Sequence, residues 1–405
     1  MSSHCNPSVV DDGLVFLYDV EDIQSYKGEP TENIFLNPTF IGTAGTQTST
    51  VTDNWYFSGY TGDSGFKFYN NSTSPFPLKF SNEGSVITTG ANDDSTTQNR
   101  RFYCNEVLQA GATYTVSAWI YTTRTSGISI AHFEYGGSSL NSGYFSGTST
   151  HPNHVLGQWY YWEDTYTVGA DYTSGLIGPV HSGSSDTIVG IQRFQIEKKS
   201  HATPFVDGTR SATQGLLDRT GTSTINISNA SFDSNAQMTF DGTDDYISIP
   251  TYTFGNGSWT LNMWVNVSAF ANYNLMSNSS GGPVSNVFGA HGGNPKIFYM
   301  NYDGAWKDHY GNLTLTTNNW YFLTWVNYEG ASASAGTMKM YVNGVADSDV
   351  FNSYTTNGGP CNVIGKRWSG TSFNGKISQV SINTKSLSGA EVLQNFNATK
   401  SRFSL

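Results

Sequence analysis

The sequence predicts an all-β protein, and three observations carry the prediction. Charged residues make up 13% of the chain, well below the roughly 25% of average proteins. Glycine reaches 43 of 405 residues, above the usual level of about 7%, and Ser, Thr and Asn are abundant as well. Such a composition suits many short strands joined by polar turns. Segment after segment then alternates apolar and polar residues with period two, which places one set on each face of an extended strand. Helical periodicity is weak everywhere except at the carboxyl terminus.

Taken in order, Gly13-Leu-Val-Phe-Leu-Tyr18 is a continuous apolar run followed by Asp19, and reads as a strand buried on both faces. In Gly111 to Ile120, Tyr114, Val116, Ala118 and Ile120 share one face, opposite Thr113, Thr115, Ser117 and Trp119. Gly157 to Trp162, continued by Thr165, Tyr166 and Val168, and Ile188 to Ile196 read as further strands. The Gly/Ser/Thr stretch from Thr122 to Thr150 reads as a long loop or weak hairpin, and Thr203 to Arg210 as a turn-rich boundary. Beyond it, Trp259, Leu261, Met263 and Val265 alternate with Ser258, Thr260, Asn262 and Trp264, and Trp320 to Asn327 is again strand-like. Asn272 to Thr317 between them reads as rich in loops. Met338, Met340 and Val342 alternate with Lys339 and Tyr341, and Asn343-Gly344 is the pair that best tolerates positive φ at both centres of a tight hairpin turn. In Gly375 to Ile382 the apolar residues Ile377, Val380 and Ile382 break parity once, which predicts a bulge. Ser388-Gly-Ala-Glu391 is a capping box opening a short helix, with Leu393 and Phe396 expected on one face.

The net charge of −11, without a basic cluster, argues against a nucleic-acid groove and against anionic membrane surfaces. No apolar run approaches the roughly 18 residues of a membrane span. The start, MSSHCNPSVVDD, has neither a basic region nor an apolar stretch, so no secretory signal is expected. Cys5, Cys104 and Cys361 are scattered and odd in number, which disfavours a disulfide framework, and no CxxC or HxxxH pair supports zinc. The sequons at Asn256-Gly-Ser258 and Asn312-Leu-Thr314 read as polar turns.

The run from Thr337 to Phe396, with its NG hairpin, its FNGKISQVSI strand and its capped helix, resembles the end of a laminin-G-like, concanavalin A-like lectin/glucanase jelly roll. It is similar to versions found in bacteriophage virion proteins. Trp259 to Asn266 and Trp320 to Asn327 resemble two core strands of the same family, and GLVFLYDVEDIQSYKGEP resembles its opening strand. In such proteins FDGTDDYI follows the opening strand soon, whereas here that segment begins at Phe240. An insertion is therefore expected, with the opening strand returning to lie beside Lys376 to Ile382. The inserted part, with NIFLNPTFIG, DNWYFSGY and GATYTVSAWI, resembles carbohydrate-binding modules of jelly-roll fold, and QIEKKSHATPFVDGTR resembles the junction after them in phage proteins. The resulting expectation is two jelly-roll β-sandwich domains with a short C-terminal helix. Residues 1–32 supply the N-terminal strand of the C-terminal jelly roll, 33–205 the carbohydrate-binding-module-like sandwich, and 206–405 the laminin-G-like jelly roll.

Sugar binding needs an aromatic face for the ring C–H surface and planar polar groups for the hydroxyls. The segment Ile297 to Tyr310 offers Trp306, His309 and Tyr310, and Arg367 and Trp368 in another loop are expected on the same rim. The alternative is that Phe298, Met300 and Tyr302 form the inner face of a strand and Trp306 caps the sandwich edge. Trp55, Tyr56 and Tyr60 form a second aromatic set in the inserted part. No cofactor is required. The resemblance admits a structural calcium, for which Asp241, Asp244 and Asp245 supply the hard oxygens that ion takes. Catalysis is not expected. The E-x-D-x-x-E pattern of the glucanases is absent, Glu163 and Asp164 as strand neighbours point to opposite faces, and Glu391 is committed to the helix cap. No GxSxG motif occurs.

The resemblance implies a non-enzymatic phage virion protein: a fibre, tail or capsid-decoration component binding host-surface glycans. Its partners would be other virion proteins and host glycans, in a homo-oligomer with a trimer favoured. It would be made in the host cytoplasm and displayed on the virion surface. The competing expectation is a purely structural decoration or assembly protein, and a polysaccharide-degrading enzyme is a more distant third.

Overall fold

The computed structural model describes residues 8–35, 39–40, 50–51, 55–58, 66–69, 73–74, 76–89, 100–106, 108–109, 111–123, 128–129, 134–135, 155–167, 175–177, 180–181, 188–232, 237–255, 257–271, 274–279, 286–289, 293–302, 305–328, 336–347, 351–354, 359–367 and 372–405. The chain divides into two compact units. Met1–Pro30 joins Ser211–Leu405 in one, and Thr31–Arg210 forms the other. Both are jelly-roll β-sandwiches.

The first unit stacks a nine-stranded sheet on a seven-stranded one. At the centre of the larger sheet lies the Asn374–Asn383 strand. One of its edges pairs with Trp259–Val267. The other is shared: Asn374 to Lys376 face Met238–Asp241, and Gln379 to Asn383 face the opening strand, Leu14–Asp19. The register against Trp259–Val267 slips between Trp264 and Val265, so Ser378 is the extra residue, where the break in apolar parity places a bulge. The seven-stranded sheet runs in the order Asn226–Ser228, Tyr246–Phe254, Gly359–Ile364, Asn274–Ser277, Asn286–Gly289, Phe298–Tyr302, Trp306–Tyr310. Asn272 to Thr317, expected to be rich in loops, thus supplies four strands. Its Asn, Asp and Gly content masks them because Asn274, Asn286 and Asn301 are buried and hydrogen-bonded rather than exposed in turns.

The core between the sheets takes the residues that alternation assigns to it. Trp259, Leu261, Met263 and Val265 meet Met338, Met340 and Val342 and, from the other sheet, Ile247, Phe288 and Tyr299. The opposite parity is also covered, because the carboxyl-terminal helix Gly389–Thr399 and the turn after it lie on that face. Trp264 is fully buried there. Its ring stacks on Phe403 at 4.1 Å and on Phe396 at 5.8 Å, and its indole N–H donates to Thr399 Oγ1 at 2.7 Å. The helix opens with the capping box: the Glu391 amide donates to Ser388 Oγ, and the Ser388 amide donates to Glu391 Oε2. Its buried face carries Val392, Asn395 and Thr399, whereas Leu393, expected to face inward with Phe396, is 42% exposed. Asn343 and Gly344 both have positive φ, 51° and 78°, as the two-residue hairpin requires.

The second unit stacks a five-stranded sheet, ordered Trp159–Thr167, Thr113–Thr122, Ile188–Glu197, Ser85–Thr89, Phe66–Tyr69, with a seven-stranded one centred on Arg100–Glu106. Tyr114, Val116, Ala118 and Ile120 are buried against Phe194 and Ile196 as their parity demands. The unit starts at Thr31 and ends at Arg210, rather than at 33 and 205, because Thr31–Glu32 pairs with Thr209–Arg210. A buried polar cluster seals that neck. Glu197, fully buried, accepts from the hydroxyls of Thr31 and Thr203 and from the Gln195 amide group, and Arg210 donates to the Pro204 carbonyl. Asn33 accepts from the amides of Phe35 and Ile196. The phrases NIFLNP and QIEKKSHATPFVDGTR, far apart in sequence, build one neck. Within 122–150, expected to be a long loop or weak hairpin, Ile128–Ser129 and Glu134–Tyr135 are short strands, paired with Val180–His181 and Gly175–Ile177 rather than with each other.

Two changes test this packing in urea denaturation. Trp264→Ala removes a fully buried indole and is expected to cost about 3–5 kcal/mol, and Ser388→Ala about 1 kcal/mol. Lys385, and after it the Ser388 cap, hold the Glu391 carboxyl down at about 2. Its contribution is then present above the unfolded value near 4.3 and is lost as pH falls towards 2. Glu391→Gln should flatten that part of the pH–stability curve.

Candidate functional site

The Trp306–Tyr310 strand is the edge of the seven-stranded sheet, and its pairing with Phe298–Tyr302 runs without a slip. Period two then decides which side chains share a face. Trp306, Asp308 and Tyr310 point one way, with Tyr302, Met300 and Phe298 opposite them across the strand pair. Lys307 and His309 point the other way.

Trp306 is 41% exposed, the one exposed tryptophan among the described residues. Tyr302 meets it edge-on at 5.2 Å, and the Arg367 guanidinium lies 5.6 Å from the ring centre. Burial lowers the Arg367 pKa, and Asp308 opposes that shift. The Tyr310 hydroxyl donates to Asp308 Oδ2 at 3.3 Å, and the Tyr310 ring lies on Phe298 at 5.0 Å. Lys366, next to Arg367, covers Tyr246 at 4.5 Å. An exposed indole and a carboxylate on an edge strand thus have the Arg367 guanidinium beside the indole. That is an aromatic platform flanked by a fork of donors and by an acceptor.

His309 does not belong to this rim. It stacks on Tyr299 at 5.9 Å and pairs through Nε2 with the buried Asn301 Oδ1 at 3.0 Å, on the sandwich side of the sheet. The expected set had treated Ile297 to Tyr310 as a loop, in which neighbouring side chains converge; in a hairpin they alternate. Trp368 and Tyr60 lie outside the described residues, as do the side chains of Trp55 and Tyr56, whose backbone belongs to the Trp55–Ser58 strand.

The second unit carries an aromatic set that the sequence reading passed over. Trp119 and Tyr161 are direct cross-strand partners on the non-core face of the five-stranded sheet, 5.6 Å apart. Phe80 meets Trp119 edge-on at 6.0 Å, and Lys79 Nζ lies 4.4 Å above the Trp119 ring. The signal was present: Trp119 and Tyr121 are aromatics at the polar parity of Thr113, Thr115 and Ser117.

Asp241, Asp244 and Asp245 bring one carboxylate oxygen each within 4.8 Å of one another. The oxygens are of the type calcium takes, yet each residue already has one committed. Asp245 accepts from the Asp241 amide, Asp241 from the Thr243 amide, and Asp244 from Asn229 Nδ2. Burial, joined by the two neighbouring carboxylates, raises the Asp245 pKa. The set fits an ion through its remaining oxygens, and it is equally a self-contained turn.

With the geometry in hand, comparison with known proteins places the carboxyl-terminal unit. Residues 241–393 match the family model of the concanavalin A-like lectin/glucanases superfamily. That stretch, within the carboxyl-terminal unit, is what is similar to the family. No curated protein matches the sequence. Among solved structures, domain 4 of an extracellular arabinanase from Geobacillus stearothermophilus, determined with arabinotriose, is 15% identical, with 46% of this chain and 92% of that one covered and a TM-score of 0.33. The binding domain of botulinum neurotoxin serotype D is 15% identical, with 47% and 50% covered and a TM-score of 0.36. A sialidase from Trypanosoma rangeli is 14% identical, with 46% and 31% covered and a TM-score of 0.33. Superpositions this loose do not bear on ligand or activity. No helix among the described residues is long and apolar enough to cross a membrane.

The half-buried position of His309 has a measurable consequence. Burial is the main cause holding its pKa below the ordinary value of 6.5. The neutral imidazole is favoured in the fold, so its contribution is present above pH 6.5 and is lost as pH falls through the depressed value. Thermal unfolding followed from pH 8 to pH 5 should show a falling Tm, and His309→Gln should reduce that slope.

Proposed function

We propose that this protein is a non-enzymatic glycan-binding protein, and that Trp306 is the centre of its binding face. The observation that carries the reading is the exposed indole on an edge strand of a lectin-type sandwich, with Tyr302 against its edge and Arg367 beside it. A sugar ring offers a C–H face to such a ring and hydroxyls to the flanking polar groups. Arg367 and Asp308 supply a donor and an acceptor within reach of one platform, while Tyr310 orients Asp308. Among the described residues gathered on this face, Asp308 is the one carboxylate. Glycoside hydrolysis ordinarily takes two, about 5–9 Å apart, which supports binding without cleavage.

The wider setting rests on the sequence resemblance in Gly13–Tyr18, Gln195–Arg210, Phe240–Ile249 and Asn374–Phe396. On that basis the protein is a virion component of a bacteriophage. It is displayed on the particle surface as a fibre, tail or capsid-decoration element, meets host-surface glycans, and works beside other virion proteins as a homo-oligomer, a trimer being favoured. Among the described residues, the aspartate turn at 241–245 is the one candidate for a structural calcium.

A screen of the purified protein on host polysaccharides and a glycan array, with reducing ends assayed alongside, tests the reading. Binding without new reducing ends is expected, and Trp306→Ala should weaken it at least ~10-fold, equal to about 1.4 kcal/mol. Unchanged binding in Trp306→Ala would remove the site. New reducing ends would make the protein an enzyme, and the absence of binding in the native oligomer would leave a purely structural role. Asp245→Asn adds a calcium test. It should raise the Tm in chelator by relieving carboxylate repulsion, and should abolish any rise in Tm that calcium gives the native protein.

A further inference from the structure

A second cavity lies on the other side of the same unit, away from the Trp306–Tyr310 edge in sheet order. It is a cleft of about 340 Å³ whose lining includes Val15, Tyr252, Phe254, Trp259, Ile382 and Thr384. The volume falls at the small end of the roughly 300–1,000 Å³ typical of ligand sites, enough for one ring rather than a chain of them.

Two irregularities border the cleft, one in each sheet. In the opening strand the register slips between Leu14 and Phe16, which makes Val15 an extra residue. In Tyr246–Phe254 the register against Gly359–Ile364 slips between Ser248 and Tyr252. Bulges bend a strand and re-aim the side chains beside them. Here both belong to strands that border one cleft, so the slips turn Val15 and Tyr252 to its wall. The Tyr252 hydroxyl is held by Ser223 Oγ at 3.0 Å. Burial is the main cause raising its pKa, so it is a neutral phenol throughout the physiological range.

The chemistry of the lining narrows the ligand. Val15, Phe254 and Ile382 give an apolar floor. The rim is made of hydroxyls: Thr251, Thr253 and Thr384 are exposed, and Ser258 is half-buried. None of the lining residues carries a charge at neutral pH. An anionic or cationic ligand would enter without a counter-charge, an expensive placement. A molecule with one apolar ring face and an edge of hydroxyls meets both parts of the lining. We infer that this cleft is a second ligand site of the carboxyl-terminal unit, taking a single neutral sugar residue. The inference does not rest on the Trp306 face, and either site can exist without the other.

Gly257 makes the test clean. A Cβ built there meets nothing within 4 Å, and the residue lines the cleft. Gly257→Phe therefore adds bulk at the cleft in a position the fold leaves open. Thr253→Trp, at an exposed rim position, is the second blocking variant should the first fail to fold. The probes are glucose, galactose, mannose and N-acetylglucosamine, with N-acetylneuraminate as the charged control, in saturation-transfer NMR on the full chain. At least one neutral sugar is expected to give signals in the native protein and in Trp306→Ala. Those signals should vanish in the blocking variant, and Tyr252→Phe should weaken binding several-fold. Signals lost in Trp306→Ala but kept in the blocking variant would overturn the inference and leave the Trp306 reading intact. No neutral sugar bound, or N-acetylneuraminate bound equally at the cleft, would also overturn it.

Discussion

The fold of the carboxyl-terminal unit depends on one strand having neither edge left open. Asn374–Asn383 lies inside the larger sheet, where an unpaired amide or carbonyl would be buried without a partner. Trp259–Val267 satisfies one edge along most of its length, but Met238–Asp241 reaches only the first three residues of the other. The remainder is satisfied by Leu14–Asp19, which is separated from it in sequence by the whole second unit. The ends of the chain are then tied together. Asp19, buried, accepts from Gln379 Nε2 at 3.0 Å and pairs with Arg402 beyond the last helix. Asn395 on that helix accepts from the Val10 amide at 2.8 Å. Both termini thus converge on a single strand, and Thr31–Arg210 is accommodated because its entry and exit segments pair with each other at the neck.

The same constraint accounts for where chemistry can sit. In the larger sheet Trp259, Leu261, Met263 and Val265 face the opposing sheet, and Trp264 on the other face is covered by the helix and the turn after it. Among the described residues, the edge bearing Trp306 and the cleft bordered by two slipped registers stand outside that regular packing. Trp306 stands on the edge, where an exposed aromatic is costly to solubility unless it has a partner. Tyr252 and Val15 stand at the slips. Both proposed sites therefore lie where the regular ladder stops.

Local pattern revealed much of this and hid the rest for identifiable reasons. The Asn343-Gly344 turn, the bulge at Ser378 and the cap at Ser388 each have a chemical signature within a few residues, and each is where it was read. The match of residues 241–393 to the lectin/glucanase family agrees with the resemblance seen in the NG hairpin and terminal helix. The Phe298–Tyr310 hairpin was obscured because its asparagine and aspartates look like turn residues, and the error grouped His309 with Trp306. Leu393 was placed inward by apolar character alone, although Val392, Asn395 and Thr399 form the face that docks. Trp119 was legible as an aromatic at polar parity, but one strand does not show that Tyr161 sits opposite it. The cleft is formed by slips in strands more than two hundred residues apart in sequence, and no window of sequence contains both.

The most direct test of the account replaces residues 31–210 by a short Gly-Ser linker. Thr31 and Arg210 are cross-strand partners, about 5 Å apart at Cα, so a few residues close the gap without strain. The account predicts a monodisperse β-protein with cooperative unfolding that keeps the glycan binding lost in Trp306→Ala. A shortened chain that fails to fold although the native chain folds, or one that folds and binds no glycan the native protein binds through Trp306, would contradict it.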